Sequence, residues 1–235
     1  KSVPVLAERG ILHRGEPAAL VKAIIGAPEA LSGYGYREGD VGMIGATPEQ
    51  LFTVEKGMLE TMALAGTAPR HEVPDFHNDP KEIREHELVA DYLINLLSPL
   101  GEATREDRTI LDLGSIVHFL TRIRVRLGDL DSDLNDLVKR LHPTPALGAC
   151  PRGEGALQQL VAYRRRLNVP EEFGAPFGAL HEGRFQALVA IRNVSWDGRD
   201  VFLPSGVGLV DGSRFDREWR ELSLKRNSVK SLFGV

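Results

Sequence analysis

SGYGYREGDVGMIGATPEQLFTVEKGMLETMAL, residues 32–64, is the stretch that decides the fold class. Within it, residues 32–36, 41–44, 50–54 and 58–64 are short, partly alternating segments, separated by Gly39-Asp40, Pro48 and Lys56-Gly57. Period-two alternation interrupted by turn residues predicts a meander of strands. Upstream, residues 16–25 have helical apolar spacing, and Pro17 suits a first turn. Downstream, Asp79-Pro80 opens a helix that carries Ile83, Val89, Tyr92, Leu93 and Leu96 at near-helical spacing and runs to Leu97, before Pro99 stops it. Residues 108–127 read as extended, and helices are expected at 132–141 and 154–167. A second run of strands follows at 186–193, 201–204 and 206–210, with a turn at Asp197-Gly198, and a helix over 217–232 closes the chain. With no internal repeat and no low-complexity tract, the pattern predicts one mixed α/β (α+β) domain over residues 1–235. It has two groups of antiparallel strands and flanking helices.

Composition narrows the function classes. The formal charge is −4 and the Lys and Arg are scattered among acids, so no basic face for nucleic acid is expected. Cys150 is the single cysteine, which excludes an internal disulfide, and no apolar run reaches the roughly 18 residues a bilayer span needs. A reducing, cytoplasmic setting without membrane partners is expected. Lys1-Ser2-Val3-Pro4-Val5 reads like the middle of a strand, so the chain is read as a fragment with an upstream segment missing. Monomer and homodimer are both left open.

Several polar residues invite a chemical reading. Glu218 and Glu221 are three apart on the terminal helix and share a face, with Lys225 one turn beyond; Glu85 sits on a different helix. Hard oxygen ligands from two distant helices, with no Cys or His cluster, suit magnesium. Spacing by itself favours the plainer account of two salt-bridged surface helices. In Ser205-Gly206-Val207-Gly208, bare backbone N–H groups suit a carboxylate, but a tight strand bend explains them as well, and Gly66-Thr67 offers a similar place. Arg192 follows the apolar residues 188–191, where a buried guanidinium needs an anion, from the protein or from a ligand. His118, after Ile116-Val117, and His142, before Pro143, fit core or turn roles as readily as catalytic ones.

Seven segments then fall in a recognisable order: IGATPEQL at 44–51, ALAGTAPR at 63–70, EHELV at 85–89, LHPTPA at 141–146, AIR at 190–192, GVGLV at 206–210, and EWRE at 218–221 with Lys225. Together they resemble the chorismate-binding family, which contains isochorismate, salicylate, anthranilate and aminodeoxychorismate synthases, and the resemblance runs nearly end to end. It implies two antiparallel sheets packed as a sandwich with flanking helices, and a magnesium-dependent enzyme acting on chorismate. It further implies that Glu85 and Glu221 hold the metal, with Glu218 close or water-linked. Arg192, Gly206 and Lys225 would fix the enolpyruvyl carboxylate side, and Gly66, Thr67, His118 and Ala146 would complete the substrate site.

In the isochorismate-forming members, a lysine near the start of the domain deprotonates water for attack at C2, and the glutamate of the S-P-E segment protonates the departing C4 hydroxyl; the resemblance places these on Lys1 and Glu49. A lysine of ordinary pKa, about 10.4, is protonated at neutral pH, so a base needs desolvation or nearby positive charge. The glutamate needs an apolar setting that keeps it protonated. Members that use ammonia are similar to one another in carrying glutamine where Lys1 stands, and the aminodeoxychorismate enzymes carry a lysine at the place of Ala65, so Lys1 and Ala65 imply water as nucleophile. Ala146, where some salicylate synthases carry threonine, implies isochorismate as product. Gly148-Ala149-Cys150-Pro151-Arg152 departs from the family pattern of two small residues followed by x-P-K. The alternatives are a salicylate synthase or another chorismate-utilising synthase, and a catalytically silent chorismate-binding module. A siderophore, a quinone or salicylate is left open as the pathway fed.

Overall fold

Two antiparallel sheets organise the chain, and the computed structural model describes residues 1–11, 16–128 and 133–234. The order begins β1 (Val5–Ile11), α1 (Glu16–Ile25), β2 (Ser32–Glu38), β3 (Val41–Thr47), β4 (Gln50–Glu55) and β5 (Met58–Pro69). It continues through α2 (Val73–Phe76), α3 (Pro80–Leu97), β6 (Gly101–Arg105), β7 (Thr109–Asp112), β8 (Ile116–Leu127), α4 (Leu134–Leu141) and α5 (Glu154–Arg166). The last elements are β9 (Pro176–His181), β10 (Arg184–Val189), β11 (Asn193–Asp197), β12 (Asp200–Gly206) and α6 (Phe215–Phe233). Asp79 caps α3 as its sequence suggests: the carboxylate accepts from the Lys81 and Glu82 N–H groups, with Pro80 in the first turn.

The expected meander does not exist as one unit. β2 and β3 belong to a five-stranded sheet of order β1-β12-β11-β3-β2. β4 and β5 belong to a seven-stranded sheet of order β6-β8-β5-β4-β10-β9, in which β7 also pairs with β8. The second run of strands divides in the same way, with β9 and β10 in the larger sheet and β11 and β12 in the smaller. The chain therefore crosses between sheets twice, at Thr47-Pro48-Glu49 and at Ala190-Ile191-Arg192. Pro48 lacks the N–H that would continue the ladder, and Arg192 takes φ +57. The crossings are tied together: the Ala46 N–H donates to the Arg192 carbonyl at 3.2 Å, and the Val189 N–H to the Glu49 carbonyl at 3.0 Å.

Smaller departures have local causes. Residues 206–210 are not a strand: β12 ends at Gly206, and beyond it only Leu209 bridges to Ser2. Residues 108–127 form two strands, and the expected strand 186–193 stops at Val189. β6 and β9 went unanticipated because each is an edge strand with few buried positions and no alternation. Residue 132, expected to start a helix, lies outside the described residues, and α4 is seen from Leu134.

Packing holds the site elements in place. Val89, Ala90, Leu93 and Leu97 form the buried stripe of α3, packed with Leu59, Ala63, Ile123 and Val125 of the larger sheet. Each of the valines, leucines and isoleucines contributes about 1.5–3 kcal/mol on full burial. Val5 joins this same cluster from the smaller sheet. α1 and α6 bury Leu20, Val229 and Phe233 with Ile44, Val194 and Leu203 of the five-stranded sheet.

Candidate active site

The two crossings, the β5–β8 bulge, the segment after β12 and helices α3 and α6 converge on one cavity. It holds about 660 Å³ of space free of protein atoms, mouth included, and its walls include Glu49, Gly66, Glu85, Ala146, Arg192 and Lys225. Thr67, His118, Ala65, Gly206 and Gly208 also line it, so of the expected substrate-site residues all seven meet here.

The crossings bring in one acid and one base. Glu49 is buried, its N–H held by the Thr47 hydroxyl at 3.1 Å. Burial pushes its carboxyl up to about 7, against the opposing pull of Lys1, Lys225 and Arg192. Arg192 is equally buried, and desolvation lowers its guanidinium to about 10 against the charges of Glu221 and Glu49. It donates to His118 Nε2 at 2.9 Å and to the Ser228 hydroxyl at 3.3 Å. An arginine has no lone pair to offer, so His118 Nε2 accepts and the proton sits on Nδ1, which faces the Gly66 carbonyl at 3.0 Å and Thr67 Oγ1 at 3.1 Å. Burial, with Arg192 and Lys225 nearby, holds His118 well below the ordinary range and therefore neutral.

The bulge explains Gly66 and Thr67. The β5–β8 register slips between Ala65 and Thr67, and Gly66, at φ +77, is the extra residue. A side chain there would sit 3.0 Å from Phe119 and 3.1 Å from the Glu82 carbonyl. His86, fully buried on α3, anchors the bulge through Ala65 O at 3.3 Å and Thr121 Oγ1 at 2.9 Å. Burial lowers it to about 4, so it serves as a neutral tie.

The acids expected to hold a metal occupy the early turns of the two helices. Glu85, Glu218 and Glu221 are all buried, and so is Glu82, which the sequence reading passed over. Glu82 stands three residues before Glu85, as Glu218 stands before Glu221, so the two helices carry the same i, i+3 pair; that repeated spacing was the available signal. Glu82 accepts the Thr67 N–H at 2.9 Å, and burial raises its carboxyl to about 7, with Lys81 opposing and Glu221 and Glu85 adding to the rise. Lys81, also unremarked in the sequence, reaches Glu82 at 3.0 Å, Glu85 at 3.2 Å and Glu218 at 3.0 Å. Lys225 ion-pairs Glu221 at 2.6 Å and donates to the Gly206 carbonyl at 2.9 Å.

Lys1 stands apart from its expected role in one respect. It does not line the cavity; its side chain is wholly buried with the ammonium 2.9 Å from Glu85 Oε1. Burial raises the Glu85 carboxyl, but the Lys1 and Lys81 ammoniums outweigh it and hold Glu85 below the ordinary carboxylate range. Gly208 is the reason these groups can meet: a Cβ at that position would come within 2.7 Å of Lys1 Cε and overlap a Glu85 oxygen. In the sequence Gly206 and Gly208 looked equivalent, yet Gly208 is the one on which the Lys1–Glu85 contact depends.

The residues present suit a hard divalent ion by donor type. Both Glu218 carboxylate oxygens are buried without a hydrogen bond, Lys81 touching Oε1 only as an ion pair. Among the described residues, no three His, Cys, Asp or Glu side chains stand in ligand geometry, and Lys81 lies between the carboxylates. His142 is structural: its Nε2 meets the Gly174 carbonyl at 3.1 Å, and burial lowers that ring to about 4.

Comparison with known proteins agrees with this geometry. Residues 11–234 match the family model described as chorismate binding enzyme. The chain is 32% identical over 214 residues to the salicylate biosynthesis isochorismate synthase of Pseudomonas aeruginosa, covering 85% of this chain and 43% of that protein. It is 29% identical to the isochorismate synthase MenF of Haemophilus influenzae (81% and 46% covered) and 27% identical to anthranilate synthase component 1 of Acinetobacter calcoaceticus (80% and 39%). The chain thus spans about half the length of the curated relatives it matches. In fold it superposes on the menaquinone-specific isochorismate synthase MenF of Escherichia coli with TM-score 0.80 at 22% identity, over 99% of this chain and 56% of the other. The mixed α/β architecture with two antiparallel sheets, the cavity and the matched residues 11–234 lead to one conclusion: the chain belongs to the chorismate-binding enzyme family.

Proposed function

We propose that this chain is the catalytic part of a magnesium-dependent isochorismate synthase, which adds water at C2 of chorismate and expels the C4 hydroxyl. The observation that carries the reading is Glu49: a carboxyl in the cavity wall, buried enough to sit near 7 although three cations surround it. A group so poised is a proton donor at neutral pH, which loss of a hydroxyl requires. The resemblance gives Lys1 the part of base toward the attacking water, which it can fill only after its ammonium leaves Glu85 and sheds its proton, and Glu49 gives a proton to the leaving oxygen, so one water enters, one leaves, and the product is an isomer of the substrate. Arg192 and Lys225 offer positive charge to the enolpyruvyl carboxylate, and the cavity shields the reacting carbons from bulk solvent.

Glu85, Glu218 and Glu221 would hold magnesium, which supplies the charge that neutralises and orients a substrate carboxylate. Ala65 and Ala146, both lining the cavity, leave space where aminodeoxychorismate synthases and some salicylate synthases, respectively, are expected to carry larger groups. No helix among the described residues is long and apolar enough to cross a membrane, and the free Cys150 suits a reducing cytoplasm. Incubation with chorismate and magnesium, followed by chromatography of the products, tests the reading. Isochorismate is expected. Salicylate as the main product would move the assignment to a salicylate synthase, and binding without turnover in a full-length protein would leave a silent module.

A further inference from the structure

We propose that Lys81 is a resident counter-cation of the carboxylate cage: its ammonium and the divalent ion are alternative occupants of the same glutamates, and the ion binds only as Lys81 withdraws. The inference rests on the metal reading of the preceding section and adds to it what holds the cage together before the ion arrives. The Lys81 ammonium touches Glu82, Glu85 and Glu218 at 3.0–3.2 Å, bridging the two helices that carry the acids. It serves the cage incompletely, because both Glu218 oxygens remain without a hydrogen bond while buried.

Charge favours the exchange. Four carboxylates face three ammoniums, Lys1 on Glu85, Lys225 on Glu221 and Lys81 in the middle, which leaves one negative charge in excess. Replacing Lys81 by a divalent ion brings the cage to neutrality with Lys1 and Lys225 still in place.

Lys81 also has somewhere to go. The cage is a partition between two cavities. Glu85 faces the substrate cavity, whereas Lys81, Glu82, Glu218 and Glu221 line a second one that also contains Glu72, Asp75 and Asp79. Lys81 lines the second cavity and not the substrate cavity, so its ammonium can turn toward Asp75 there without crossing the substrate, Glu72 and Asp79 being already paired with Arg220 and Arg217. By the same geometry the ion enters and leaves through the second cavity, independently of chorismate.

Titration calorimetry of magnesium chloride into the wild-type chain, Lys81→Met and Glu221→Gln, all without chorismate, tests this. Lys81→Met is expected to bind magnesium at least tenfold more tightly, to melt lower than wild type in EDTA, and to gain more in Tm from magnesium. Unchanged or weaker affinity in a folded Lys81→Met makes the lysine a mere helix tie and overturns the inference. Loss of binding in Glu221→Gln keeps the metal reading intact whichever way Lys81→Met falls; binding in Glu221→Gln equal to wild type removes both. Should Lys81→Met fail to fold, amine-specific labelling of the wild type read by mass spectrometry decides the matter. Lys81 is expected to be protected in EDTA and labelled at saturating magnesium, and equal protection in both overturns the proposal.

Discussion

Glu85 and Glu221 stand on the early turns of α3 and α6, one facing the substrate cavity and the other the cavity beside it, while Glu49 and Arg192 come to the substrate cavity from the two points where the chain leaves one sheet for the other. Both pairs are buried and charged or chargeable, yet the molecule treats them differently. The helix acids are compensated: Lys1 and Lys81 hold Glu85 ionised, and Lys225 sits on Glu221. Glu49 is left without an ion pair and is buried so deeply that burial outweighs its cationic neighbours. A carboxylate that must hold an ion has to stay charged, and one that must deliver a proton has to stay neutral. The same residue type serves both ends because helix turns cluster several carboxylates around ammoniums, whereas a sheet crossing isolates a single one.

Substitutions test whether this division is real. The largest effect is expected at the helix acids: Glu221→Ala should abolish magnesium-dependent turnover while circular dichroism shows the fold intact, and unchanged activity would undo the metal assignment. Next comes Glu49→Gln, expected to lower kcat by about 10²–10⁴. In the wild type kcat should fall as pH rises through about 7, where Glu49 loses its proton, and this limb should vanish in the residual activity of the glutamine variant.

Stability carries the same signature with a definite sign. Because the folded carboxyl of Glu49 is raised from 4.5 to about 7, its stabilising share is complete below about pH 4.5 and lost as pH rises through about 7. Glu49→Gln should therefore gain on wild type over that window, up to about 3 kcal/mol above pH 7 in denaturant unfolding. No gain at pH 8 would mean that burial does not raise the Glu49 carboxyl. The smallest effect is expected at Asp79→Ala, where loss of the cap on the α3 start should cost about 1 kcal/mol. A modest rise in the magnesium requirement should accompany it, since Lys81 and Glu82 are the residues capped.

How much of this was legible depended on range. Asp79-Pro80 announces α3, and the spacing Glu218 to Glu221 already puts two acids on one helix face. Glu82, three residues before Glu85, obeys the same rule. Lys81 gave no such signal, since a lysine beside acids on a helix is ordinarily solvated. The meander of residues 32–64 was misread for a different reason: alternation reports which faces are buried, and it is silent on which strand pairs with which.

The sequence by itself determined the helices, the short strands, the glycines and the ordered acids that mark a chorismate-binding enzyme, because caps, periodicity and turn chemistry act within a few residues. Tertiary structure alone decided that β3 and β4 part into different sheets, that Gly208 rather than Gly206 admits the Lys1–Glu85 pair, that Lys81 touches three glutamates across two helices, and that the Glu49 carboxyl is raised to about 7. Those outcomes turn on desolvation and on contacts between residues far apart in the chain, and both exist only once the sheets have closed around them.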